Sequence, residues 1–62
     1  MVYDYYLRED SNGEKFLLRW DSKQAPPLKP IGSTLKQIDY NEYVRLQQGK
    51  KPDFIYDIIR IA

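Results

Sequence analysis

The chain contains neither cysteine nor histidine. Their absence removes disulfides, thiolate and imidazole metal sites, cysteine nucleophiles and histidine-based triads. It fits a reducing, cytoplasmic setting. No apolar run is long enough for a membrane span or a signal-peptide core. Strong charge of one sign is also missing. Ten basic and nine acidic residues leave a net charge of +1, which argues against a dedicated, strongly basic nucleic-acid binder. Only three glycines occur, and no glycine-rich phosphate loop can be built from them. No nucleophile–base pair is visible, so the expectation is a non-enzyme with no cofactor and no small-molecule substrate.

Sixty-two residues allow one small domain. A chain of this size buries only about 60% of the surface its unfolded form exposes. Without disulfides or a metal, stability must come from a well-filled core or from self-association. Six tyrosines, two phenylalanines and one tryptophan supply large apolar area.

The strongest local signal is Ser11-Asn12-Gly13 between Tyr3–Arg8 and Phe16–Trp20. Asn-Gly between alternating apolar residues marks a β-hairpin with a two-residue turn. A turn at Asn12-Gly13 pairs Ser11 with Glu14 and Asp10 with Lys15. It then sets Leu7 opposite Leu18, Tyr5 opposite Trp20 and Glu9 opposite Phe16 on one face. The other face carries Tyr6 opposite Arg19, Arg8 opposite Leu17 and Asp4 opposite Asp21. That register predicts one apolar and one mixed face.

Residues 22–32 hold Pro26, Pro27 and Pro30. They read as a semi-rigid, polyproline-like connection over the surface. A PxxP-like ligand for an SH3-type groove is the functional alternative. Ser33 to Ile38 predicts a short third strand. Asp39 followed by Glu42 has the capping-box spacing, with Ile38 and Tyr43 as a hydrophobic staple. The predicted helix covers 40–48, with Tyr40, Tyr43, Val44 and Leu46 in one arc and Gly49 ending it. The run 52–62 suits either a helix or a strand; its four isoleucines favour a strand, and its two apolar faces a central one. The expected fold is therefore α+β: a hairpin, a third strand, one helix on the sheet and a C-terminal strand.

Three constellations have a chemical reading. Asp4 opposite Asp21 brings two carboxylates together, for a cation or a shared proton; solvated carboxylates at a strand end are the simpler account. Asp53 and Asp57 share a face only if their segment is helical. Arg45, Lys50 and Lys51, with Lys29 and Lys36 nearby, form a basic group around the helix end. The helix dipole explains it, and contact with phosphate or an acidic partner is the functional reading, with Tyr3, Tyr6 and Tyr56 available for stacking. Tyr6, Leu17 and Arg19 fall on the second hairpin face. If no element covers that face, they form a patch of interface-enriched residue types.

The stretch Asn12-Gly13-Glu14-Lys15-Phe16-Leu17-Leu18-Arg19-Trp20-Asp21, followed by Pro26-Pro27, resembles a segment of small proteins from phage tail and tail-fibre assembly regions. There a glycine-turned hairpin ends in Trp-Asn before spaced prolines. Here Asp21 stands in place of that Asn, and the prolines are adjacent. The resemblance implies a virion-assembly or prophage setting and carries no catalytic residues. The residues and this resemblance together lead to an expected protein-binding module: an adaptor, inhibitor or assembly factor. Tyr6, Leu17 and Arg19 are the expected contact residues. A homodimer through that face, or through an unpaired strand edge, is the expected self-association. A nucleic-acid-binding module using Arg45, Lys50 and Lys51 is the alternative.

Overall fold

The computed structural model describes residues 2–47 and 58–61. The elements are β1 (Tyr3–Glu9), β2 (Lys15–Asp21), β3 (Thr34–Ile38), α1 (Tyr40–Gln47) and β4 (Ile58–Arg60). The four strands form one antiparallel sheet in the order β3-β1-β2-β4. The hairpin is the centre of the sheet, and the α+β class is as expected.

The hairpin register is shifted by one residue from the expected one. Leu7 lies opposite Leu17, Tyr6 opposite Leu18, Tyr5 opposite Arg19 and Asp4 opposite Trp20. The reason is the turn. Asp10 N donates to the Glu14 carbonyl at 2.8 Å, and Gly13 N donates to the Asp10 carbonyl at 3.0 Å. Three residues, Ser11 to Gly13, therefore form the loop instead of two. Gly13 takes φ +87°, the left-handed conformation that closes a three-residue hairpin loop. The Asn12 side chain accepts the Glu14 N–H at 3.0 Å, fixing the loop from inside. One extra loop residue exchanges the two faces of β2 relative to β1.

Both faces of the sheet are covered, contrary to the expected apolar and mixed faces. Leu17 and Leu18 are neighbours in sequence, so they point to opposite faces, yet they are 0% and 2% exposed. On the first face, Leu17, Ile59 and Tyr43 of α1 form the core, with Tyr5, Leu7, Ile38, Leu46 and Ile61 packed around it. On the second face lie Tyr6, Arg8, Phe16, Leu18 and Trp20, with residues 24–28 of the connection beside Arg8, Leu18 and Trp20.

Capping physics explains α1. Asp39 Oδ1 accepts the Glu42 N–H at 2.7 Å, and the Asp39 carbonyl accepts the Tyr43 N–H at 3.0 Å. The buried stripe is narrower than the expected arc. Tyr43 is buried and Leu46 half-buried, whereas Tyr40 and Val44 are 60% and 46% exposed. β4 is a three-residue edge strand, not a central one. The expected helix stop at Gly49, and Asp53 and Asp57, lie outside the described residues.

Leu17→Ala is expected to destabilise the fold by about 2–5 kcal/mol, because it empties the centre of the helix-side core. Leu28→Ala, at a position 94% exposed, is expected to change stability by less than about 0.5 kcal/mol. Urea denaturation followed by far-UV circular dichroism checks both.

Candidate binding surface

The connection from β2 to β3 is tied to the strands at its start and closed by a local turn at its end. At its start, Ser22 donates from its N and its Oγ to the Val2 carbonyl at 3.1 and 3.0 Å. Asp21 Oδ1 accepts the Lys23 N–H at 2.9 Å, and the Asp21 carbonyl accepts the Gln24 N–H at 3.0 Å. Trp20 Nε1 then donates to the Ala25 carbonyl at 2.7 Å. At its end, Ser33 N and Oγ donate to the Pro30 carbonyl at 3.1 and 2.6 Å. Between these anchors stand three prolines, which have no N–H to satisfy and a fixed φ. Pro27 is buried against the body of the protein. Leu28 and Ile31 are turned to solvent, 94% and 102% exposed.

A groove of about 460 Å³ opens between this connection and the second sheet face. Leu18, Trp20, Ile58 and Pro26 supply its apolar wall, and Arg8 its cationic one. Arg8 is held in place. Its Nε lies 3.0 Å from Asp10 Oδ1, its Nη2 donates to Oδ2 at 3.4 Å, and its guanidinium stands 4.5 Å from the Phe16 ring centroid. On the other side of Phe16, Arg60 Nη2 lies 3.5 Å from Glu14 Oε1.

The expected contact residues do not share a face. Tyr6 lies on the second face and is only 9% exposed. Leu17 is fully buried under α1. Arg19 lies on the helix side, its guanidinium 4.5 Å from the Tyr3 ring centroid. The register shift separates them, since their grouping rested on the two-residue turn. Asp4 and Asp21 are separated for the same reason: Asp4 pairs with Trp20 and Asp21 with Tyr3, on opposite faces. Among the described residues no group of three or more acidic side chains is placed to hold a metal. Arg45 is exposed on α1 and bonded to Glu42 one turn back. Lys50 and Lys51 lie outside the described residues. Lys29 and Lys36 are exposed.

The residues that sequence reasoning missed are Arg8, Trp20 and the pair Leu28 and Ile31. One signal was available for Trp20: an indole N–H beside a proline-rich segment needs an acceptor, and Pro-flanked carbonyls without helical or sheet partners are suitable ones.

On the helix side, the Tyr5 ring lies 4.6 Å from that of Tyr43 and 5.4 Å from that of Tyr40. Burial raises the Tyr5 hydroxyl above its ordinary value of 10.0, Tyr40 and Tyr3 add to this, and Arg19 opposes it. The folded state therefore holds this proton more tightly than the unfolded chain. Its contribution is intact below about pH 10 and is lost as pH rises through the folded value. The melting temperature of the wild type is expected to fall above about pH 10, and more steeply than that of Tyr5→Phe.

Trp20→Phe keeps a ring on the second face but removes the donor to Ala25. It is expected to cost about 1 kcal/mol and to speed amide exchange at Ser22 and Gln24, read by hydrogen–deuterium exchange. Equal protection of these amides in both proteins would show that the indole bond does not hold the connection. No known protein family, curated protein or solved structure matches this chain.

Proposed function

We propose that this protein is a small non-enzymatic protein-binding module, an adaptor, inhibitor or assembly factor, and that its contact surface is the connection 22–33 with the adjoining groove. The observation that carries the reading is the presentation of Leu28 and Ile31. Single exposed apolar residues are ordinary on protein surfaces. Here two of them stand three residues apart on a segment stiffened by proline, anchored to Trp20 at its start and closed by the Ser33–Pro30 turn at its end. A segment already held in one conformation loses little entropy when it binds. The neighbouring Trp20 and Arg8 are of the types that dominate interface energetics. The likeness of residues 12–27 to a segment of phage tail-region proteins supports an assembly role in a phage or mobile-element setting. On the other side of the molecule, the Arg45 guanidinium is already engaged by Glu42, which favours the protein-binding reading over phosphate contact.

The test uses immobilised chain to isolate a partner from its source cells, then calorimetry with that purified partner. Burying a leucine or isoleucine side chain contributes about 1.5–3 kcal/mol, so the double variant Leu28→Ser, Ile31→Ser is expected to weaken binding by roughly a hundredfold or more. Its melting temperature should match that of the wild type. Binding should persist at high salt. If the captured ligand is instead nucleic acid, released by salt and lost in Arg45→Glu, the reading is overturned.

A further inference from the structure

A second surface, separate from the connection just described, lies along the outer edge of β3. The ladder itself decides which backbone groups face outward. Asp10 N donates across to Glu14 O, and Ser22 N donates to Val2 O. In an antiparallel pair a residue directs both its N–H and its C=O to the same neighbour, and the next residue directs both to the other side. The even-numbered residues of β1 therefore bond to β2, and the odd-numbered ones bond to β3. Through the pairs Tyr5 with Ile38, Leu7 with Lys36 and Glu9 with Thr34, the inward groups of β3 belong to Thr34, Lys36 and Ile38. Those of Leu35 and Gln37 point away from the sheet. Among the described strands none lies beyond β3. Natural edges are commonly blunted by proline, a bulge or charged side chains, so the register of a β3 pair turns on where it puts Lys36. β3 has an unbroken register with β1, no proline, and Lys36 as its one charged residue. The opposite edge, β4, is three residues long and includes Arg60.

We propose that β3 pairs antiparallel with β3 of a second copy, about a two-fold axis at Leu35, joining two four-stranded sheets into one. With the axis at a residue from Thr34 to Gln37, four symmetric registers pair the outward groups of Leu35 or Gln37, and an axis at Thr34 sets Leu35 against Ser33 with no apolar side chains brought together. An axis at Lys36 sets two lysines directly opposite each other, the closest and least favourable like-charge arrangement. An axis at Gln37 sets Leu35 against Asp39, whose side chain caps α1. An axis at Leu35 places leucine on leucine, and Lys36 of each copy opposite Thr34 of the other. Gln37 N–H of each copy then meets the Ser33 carbonyl of the other. Only this register brings apolar groups together and keeps like charges apart, and it makes the edge complementary to itself.

The chain has no cysteine, so single cysteine variants report the register directly. Residues opposite each other across an antiparallel pair have Cα atoms about 4.5–5.5 Å apart, within disulfide range. Sedimentation equilibrium of the wild type is expected to show a concentration-dependent rise from 7.4 kDa to twice that mass. Under mild oxidation Leu35→Cys should become a disulfide dimer, much faster than Lys36→Cys or Gln37→Cys. Gln37→Pro removes an outward N–H without touching the β1 pairing, and should weaken association roughly tenfold or more. Thr34→Lys, an exposed substitution opposite Glu9 of the same sheet, should weaken it severalfold. A monomer at every concentration overturns the proposal. So does a dimer that cross-links fastest through Lys36→Cys or Gln37→Cys, or one indifferent to Thr34→Lys. Leu28→Ser with Ile31→Ser should leave dimerisation unchanged, so failure here and failure of the partner-binding reading are told apart.

Discussion

Everything in this fold follows from burying two consecutive side chains of one strand. Leu17 and Leu18 point to opposite sides of β2, and both are shielded almost completely. Among the described residues α1 is the one helix, and it shields one side of the sheet only. The other side is shielded by an irregular segment. Proline makes that possible, because an extended segment laid across apolar side chains needs few donors satisfied when several of its residues have none. The sheet order follows as well. With the hairpin at the centre, the connection between β2 and β3 borders one face, and α1 packs on the other.

Local chemistry was legible in the sequence, and face assignment was not. The cap at Asp39, the start of α1 and the extent of β3 depend on neighbours in sequence, and the structure has them within a residue of their expected places. The hairpin was recognisable from Asn12-Gly13, but its register turns on a choice between two loop lengths that the same dipeptide serves. Asn12 settles it by accepting the Glu14 N–H, a side-chain bond to the main chain that periodicity does not register. The expectation that one hairpin face would be mixed hid a simpler clue. Two adjacent leucines in a strand cannot both be buried unless both faces are covered, and the nearby proline-rich segment was the available cover.

The candidate site inherited that error as a unit. Tyr6, Leu17 and Arg19 were grouped by parity along the strands, so one shift in register separated them together. Arg8 shows the converse. Read as a residue of the mixed face, it is held by Asp10 and Phe16 beside the groove, where its charge is fixed in position rather than free in solvent. A chain without cysteine or histidine thus fixes this surface with a half-buried ion pair, an indole–carbonyl bond and proline.

The central position of the hairpin bears on the order in which the molecule is made. Of the described elements β1 and β2 are made before the others, and they pair through a local turn. At that stage Leu17 and Leu18 are both in water, on opposite faces of a two-stranded ribbon of marginal stability. The proline segment arrives next and closes one side. The helix follows, and β4 comes last of the described elements. A ribbon apolar on both faces is, for that interval, a surface that a chaperone or a co-assembling strand can hold. The same topology that packs the finished protein therefore delays the completion of its core until β4 is synthesised.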